Sequence, residues 1–169
     1  MDVAKSEVYV SEWGNHRISV FDMKGNPLRT IGRPGTGDCE FKHPRGLFFD
    51  PVSSLLLVAD TYNHRIQIID PAATGKLVRQ FGAHGSGQGE LQGPADVAMH
   101  PITRRIFVCD SGNNRIVVFS ETGVVKYAFG IDGLLPGQLR HPRRLFIDSV
   151  AEEVYFTESR NHRVSVFST

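Results

Sequence analysis

The chain has 169 residues, 40% hydrophobic and 22% charged, an ordinary balance for a globular protein with a core of its own. Its 19 basic and 18 acidic residues leave a net charge of +1, so global charge argues neither for nor against nucleic acid; only its distribution could. Two cysteines, Cys39 and Cys109, have no motif spacing and do not suggest a disulfide framework, and no apolar run is long enough to cross a membrane. With no signal-peptide pattern and no Asn-x-Ser/Thr acceptor, the expectation is an intracellular, cytoplasmic chain.

Short β-rich runs separated by Gly, Pro, Asn and Asp recur throughout, and helical periodicity is nearly absent. One stretch returns four times: Asn15-His16-Arg17-Ile18, Asn63-His64-Arg65-Ile66, Asn113-Asn114-Arg115-Ile116 and Asn161-His162-Arg163-Val164. The arginines stand at 17, 65, 115 and 163, a pitch of 48, 50 and 48 residues. Five positions before each stands a carboxylate (Glu12, Asp60, Asp110, Glu158), and after each runs an alternating strand. A fixed period in this range denotes a stacked or radial repeat.

In chain order, the first unit opens near a second strand, Val8-Tyr9-Val10, with Met1–Ala4 read as the remnant of a first strand. The second unit is the template, with strands at 46–49, 55–59, 65–69 and 77–81, and Tyr62-Asn63-His64 as a hairpin tip. The third repeats it at 95–99, 105–109, 115–119 and 124–129, and the last closes on a third strand, Val164 to Phe167. The unit boundaries are approximately 1–32, 33–82, 83–130 and 131–169. The fold expected is an all-β propeller of four-stranded antiparallel blades, with incomplete first and last blades. Unpaired edges on those two blades predict self-association.

Between units a second element recurs, from Gly32 to Pro44, Gly82 to Pro94 and Gly130 to Pro142. Gly35, Gly85 and Gly133 align within it and permit positive φ, and Phe41, Leu91 and Leu139 align as plugs into the core. Cys39 takes the place of Gly89 and Gly137 and is a loop residue without a redox role.

The two elements in phase resemble NHL repeats, a family named for the Asn-His-Leu-type stretch, often Asn-His-Arg-Ile, with a Phe-Gly…Gly…Gly-x-Phe/Leu…Pro linker. The resemblance covers essentially the whole chain. Its departures are Asn114 for His, Glu12 and Glu158 for Asp, and Asp96 where Gly is usual. The resemblance implies part of a propeller, since such domains commonly close with six blades; the alternatives are closure with four blades or pairing with a second copy. It also implies a scaffold that recruits a protein partner, as in ubiquitin ligases of the tripartite-motif type. NHL propellers of translational repressors imply the alternative, single-stranded RNA recognition. Some NHL-like propellers are zinc- and calcium-dependent lyases; here no histidine falls within a first, channel-lining strand, so no enzyme is expected.

In a four-stranded antiparallel blade, the turn between strands two and three shares one end with the crossover to the next blade. The Asn-His-Arg tips and the Gly-rich linkers therefore share one face, and His100 lies on the other. Residues repeated in every unit serve the unit's own fold, which assigns Asn15, Arg17, Asp60, Asn63, Arg65, Asp110, Asn113, Arg115, Asn161 and Arg163 to structure. Residues that differ at equivalent places are the candidate binding face: Trp13, Arg33, Lys42, His43, Arg45, Tyr62, Arg140, His141, Arg143, Arg144 and Arg160. Basic clusters around Pro44 and Pro142, beside Trp13 and Tyr62, could hold a phosphate backbone and stack bases. They could equally be solvated loop charges, with the aromatics packed on a neighbouring blade.

Catalytic, cofactor and metal motifs are lacking: there is no Cys-x-x-Cys, His-Glu-x-x-His, Gly-Lys-Ser/Thr or Gly-x-Ser-x-Gly. Gly85-Ser86-Gly87-Gln88-Gly89 lies between strands and opens no helix, so it is a turn rather than a phosphate cradle. The sequence thus predicts a non-enzymatic module with no catalytic residue, cofactor or metal.

Overall fold

The computed structural model describes residues 7–168; the proposed first-strand remnant at Met1–Ala4 lies outside them. Among the described residues, helix is confined to two 3-10 turns, Thr61–Asn63 and Ser111–Asn113. Within the same residues no helix is long and apolar enough to cross a membrane.

The first unit supplies strands β1 (Glu7–Glu12), β2 (Arg17–Asp22) and β3 (Pro27–Ile31), and its linker holds two short strands, β4 (Arg33–Pro34) and β5 (Glu40–Phe41). The second supplies β6 (Pro44–Asp50), β7 (Leu55–Asp60), β8 (Arg65–Asp70) and β9 (Lys76–Phe81). The third supplies β10 (Pro94–Met99), β11 (Ile106–Asp110), β12 (Arg115–Phe119) and β13 (Val125–Phe129). The last supplies β14 (Pro142–Asp148), β15 (Glu153–Glu158) and β16 (Arg163–Ser168).

Each unit is one antiparallel sheet in sequence order, with three, four, four and three strands among the described residues. These sheets are propeller blades, and the ends of their strands agree with the sequence reading to within two residues. The inner strands begin at the linker proline rather than one or two residues later, because Pro44 already pairs with Asp60 and Pro94 with Asp110. A register shift follows each of those prolines and bends the strand out of the crossover.

Three apolar clusters fill the spaces between neighbouring blades. Ile18, Val20 and Phe41 meet Leu56 and Val58; Leu57 and Ala59 meet Val97 and Val108; Phe107 and Cys109 meet Val154 and Phe156. Adjacent residues of β7 thus face opposite neighbours. This explains why Leu55-Leu56-Leu57-Val58-Ala59 is continuously apolar, since both faces of that blade are covered. β1 and β16 instead alternate between half-buried and exposed positions along most of their length, as strands covered on one face do.

Phe41, Leu91 and Leu139 are fully buried. Each seats its linker through a short parallel pairing: Pro34 with Phe41, His84 with Leu91, and Asp132 with Leu139.

Candidate functional site

The repeated carboxylate and arginine end the paired second and third strands of every blade: Glu12 lies opposite Arg17, Asp60 opposite Arg65, Asp110 opposite Arg115, and Glu158 opposite Arg163. Arg65 Nε donates to Asp60 at 2.8 Å, and the same carboxylate accepts from Asn63, Gln67 and the Lys42 backbone N–H. Arg115 and Arg163 do likewise with Asp110 and Glu158. The guanidinium then reaches back to carbonyls of the preceding linker: Gly37 and Glu40 for Arg65, Gly87 and Glu90 for Arg115, and Leu135 and Gln138 for Arg163. The repeat thus clamps hairpin to linker with charge-assisted hydrogen bonds. Arg17 makes its ion pair with a side chain 42% exposed, against 10% for Arg65.

The local electrostatics follow from these contacts. Hydrogen bonds from Ser19, Asn15 and Arg17 hold Glu12 down at about 2. Burial pushes Asp110 up, against the Gln92 N–H, Asn113 and Arg115, which favour its charged form.

The recurring histidine has a second task. His16, His64, Asn114 and His162 all adopt φ near +50 to +55°, the left-handed region in which Asn and His are enriched among non-glycine residues. From there the side chain accepts a hydrogen bond from the backbone N–H before the next linker proline. His16 Nδ1 accepts from His43 at 3.0 Å, His64 Nδ1 from Gly93 at 3.0 Å, and Asn114 Oδ1 from His141 at 2.8 Å. Asn114 can replace His because an amide oxygen offers the same acceptor. Accepting at Nδ1 places the His16 and His64 protons on Nε2, and both rings are neutral in this arrangement. Burial, then His84 and Lys42, lowers the His64 pKa.

Thr61 and Ser111, next to the repeated carboxylate, bridge blades as well. Their hydroxyls donate to the carbonyls of Pro94 and Pro142, one blade on. Trp13 holds the equivalent position in the first unit and has no hydroxyl. Its carbonyl accepts from His43 Nδ1 at 2.9 Å, and its ring packs against His43 at 4.1 Å between centroids. His43 in turn packs beside His16 at 4.1 Å, with the two rings tilted by 57°, and meets Tyr62 edge-on at 4.7 Å. The Arg45 guanidinium lies over the Trp13 ring at 5.7 Å, a cation–π arrangement. Trp13 and Tyr62 remain 43% and 46% exposed.

Next to this stack opens a cavity of about 240 Å³. Ala95, the residue after the third unit's linker proline, is almost fully buried beneath it, and the residues at the matching positions of the two neighbouring blades, Arg45 and Arg143, line it. Tyr62, His64 and His141 complete the side walls. Among the described residues no carboxylate lies within ion-pair distance of Arg45, Arg143, Arg144 or Arg160. Burial and then the positive charges of Arg143 and Arg144 lower the Arg45 pKa. Burial, Arg143, Arg160 and Arg45 do the same to His141. Both groups sit in a local excess of positive charge.

One residue deeper in the inner strands, Gly46, Asp96 and Arg144 are equivalent. A Cβ on Gly46 would come within 2.1 Å of Asp96 Oδ1, so glycine makes room for the buried carboxylate. Asp96 accepts from the Leu145 N–H at 3.0 Å. Burial raises its pKa to about 6, partly opposed by that bond and by the Arg144 charge.

The sequence-chosen face therefore divides. Trp13, His43, Arg45, Tyr62, His141 and Arg143 gather at the cavity and its rim, with Arg144 and Arg160 close enough to act on them electrostatically. Arg33 and Arg140 are drawn into linker ion pairs with Glu40 and Asp132. Lys42 is exposed, and its backbone N–H is bound to Asp60. Ala95, Thr61, Ser111 and His64 also line the cavity and were not among the candidates; a hydroxyl after the carboxylate in three of four units was the available signal for Thr61 and Ser111.

The opposite face carries an Asp50–Arg104–Glu121 ion network and exposed Val52, Ile102 and Val150 at its turn tips. His100 is buried there and accepts at Nδ1 from the N–H groups of Ile102 and Thr103, the task Asp50 and Asp148 perform in their own turns. Among the described residues no three His, Cys, Asp or Glu side chains converge as a metal-ligand set.

Residues 91–119, from the buried linker leucine to the end of β12, match the family model described as NHL repeat. Over 79 residues the chain is 37% identical to NHL repeat-containing protein 2 of Bos taurus. Over 80 residues it is 35% identical to the Homo sapiens protein of that name and 32% to the Gallus gallus protein. Each match covers 41% of this chain and 11% of the relative's length.

Proposed function

We propose that this chain, a member of the NHL-repeat family, is a non-enzymatic binding scaffold that presents its tip-and-linker face to a protein partner. One observation carries the reading. The repeated polar side chains on that face are consumed by internal hydrogen bonds, and the unrepeated Trp13, Tyr62, Arg45 and Arg143 are left around a cavity. Half-exposed aromatics beside arginine are the side chains in which interface energy concentrates. A cytoplasmic setting belongs to the same proposal and is supported by two free thiols, Cys39 and Cys109.

The test is photo-crosslinking from a reactive residue placed at Tyr62, compared with one at Val150 on the opposite face. Partner crosslinks from position 62 alone are expected. Crosslinks from position 150 alone would move the binding surface to the exposed apolar turn tips.

A second reading, single-stranded RNA recognition, is favoured by the Trp13–Arg45 stack next to Tyr62. It predicts binding to a randomised RNA pool that weakens steeply with salt, as phosphate contacts do.

The terminal blades add a proposal of self-association. Val8 and Val10 of β1, and Phe146, Val164 and Val166 of the last blade, are exposed apolar residues next to strand edges. Sedimentation at rising concentration tests it, and a monomer throughout would contradict it.

A further inference from the structure

We propose that the cavity between Arg45 and Arg143 is a receptor for an acidic side chain, an Asp or Glu carboxylate on a peptide segment of the partner. The inference rests on the scaffold reading and adds the chemistry of what is bound.

Three features of the site lead there. The first is an asymmetry of charge. The chain has nearly equal numbers of basic and acidic residues, and every repeated arginine has its carboxylate. The arginines at the cavity have none among the described residues, and they stand close enough to repel one another. An arrangement that leaves like charges facing a cavity is relieved by a bound anion.

The second is shape. Ala95 is the small residue at a position that carries arginine in both neighbouring blades, so the cavity opens above it and is lined by one arginine from each of them. Two planar donor groups flanking a shallow floor suit a carboxylate, which accepts bidentate hydrogen bonds from guanidinium. Tyr62 and the rings beyond it offer apolar surface for the carbons that carry the acid.

The third is the extent of the positive charge. A phosphodiester chain is held by a groove of basic residues that tracks its backbone. Outside the cavity, Arg33, Arg140 and the four repeated arginines are neutralised by Glu40, Asp132 and the hairpin carboxylates. The other cations of this face without an ion pair among the described residues, Lys42, Arg144 and Arg160, act on the cavity's own His64, Arg45 and His141. The unpaired charge thus gathers at one spot, and a single acidic group fits better than a polyanion.

Selection of a random dodecapeptide phage library on the full chain tests the proposal, with enriched peptides resynthesised and their affinities measured by fluorescence anisotropy. Enriched peptides are expected to share an Asp or Glu whose replacement by Ala weakens binding at least tenfold. Arg143→Glu should abolish that binding while its thermal melt stays within a few degrees of the parent. Arg45→Gln and Arg143→Gln, which remove charge without reversing it, should each weaken binding at least tenfold and guard against a misfolded charge-reversal variant. Arg33→Ala, outside the cavity, should bind like the parent.

Enriched peptides with no acidic requirement, or bound equally well by the folded Arg45 and Arg143 variants, would overturn the acidic-receptor proposal and leave the protein scaffold standing. Failure to enrich any peptide, with salt-steep binding of a twelve-nucleotide single-stranded RNA, would overturn both in favour of RNA. Binding of neither probe would also overturn both.

Discussion

Arg65 and Arg143 share one face of the molecule, and their surroundings differ in kind. Arg65 opens a hairpin strand, donates to a buried aspartate, and makes three further hydrogen bonds, to linker carbonyls and Gln80. Arg143 stands after a linker proline at a cavity, with no ion pair among the described residues and with Arg45 as a like-charged neighbour. The first kind of arginine recurs in every unit, at a pitch of 48 to 50 residues. The second differs between units: arginine in two linkers and Ala95 in the one between them. Repetition marks the residues whose partners are internal, and departure from repetition marks those free to meet something else.

Substitution should separate the two kinds. The largest effect is expected from Asp60→Ala, which leaves Arg65, Asn63, Gln67 and the Lys42 N–H without their acceptor. Breaking a buried pair from one side costs about 3–5 kcal/mol, read as a large drop in the urea midpoint. A loss under about 1 kcal/mol, the range of an exposed pair, would place Asp60 with the dispensable surface charges.

Asp96→Asn should come next, with the opposite sign. The folded state raises the Asp96 pKa from 3.8 to about 6, so it holds the proton more tightly than the unfolded chain. Stability is therefore lost as pH rises from about 4 to 6. Above that window the penalty is about 3 kcal/mol, at 1.36 kcal/mol per pKa unit. The amide keeps an acceptor for Leu145 N–H, so the variant should gain up to that amount at pH 7.5 and nothing at pH 3.5. Denaturation series at the two pH values check this.

His64→Asn should be milder, because Asn114 performs the same task one blade on. Stability near neutral pH should change by less than about 1 kcal/mol. The lowered His64 pKa means that stability is complete above the unfolded value near 6.5 and falls as pH drops through the folded value. The variant should lose that part of the acid sensitivity, seen as a flatter melting temperature below pH 6.5. The smallest effect is expected from Arg143→Ala, within about 0.5 kcal/mol of the parent, since this arginine holds nothing together.

Much of the fold was legible because its signals are local. Period, turn residues and alternation located the strands, and the buried Phe41, Leu91 and Leu139 stand at the aligned positions that marked them as plugs. The site was only partly legible. Arg33 and Arg140 look like Arg45 and Arg143 in sequence, and only the fold of the linker sets Glu40 and Asp132 beside them. The stack of His16, His43, Trp13 and Tyr62 draws on residues far apart in the chain, from two tips and a linker. It depends on how neighbouring blades meet, which no single repeat encodes. The variable tip position also hid a shared structural task, because Thr61 and Ser111 use a hydroxyl that Trp13 lacks.

Hydrogen exchange of the arginine Nε–H groups, resolved by NMR on the full chain, compares every arginine in one measurement. Arg65, Arg115 and Arg163, whose Nε–H groups are bound to carboxylates at 2.7–2.8 Å, should exchange at least tenfold more slowly than Arg45 and Arg143. Equal protection of the two sets would contradict the division between internally bound and outward-facing arginines on which this account of the binding face depends.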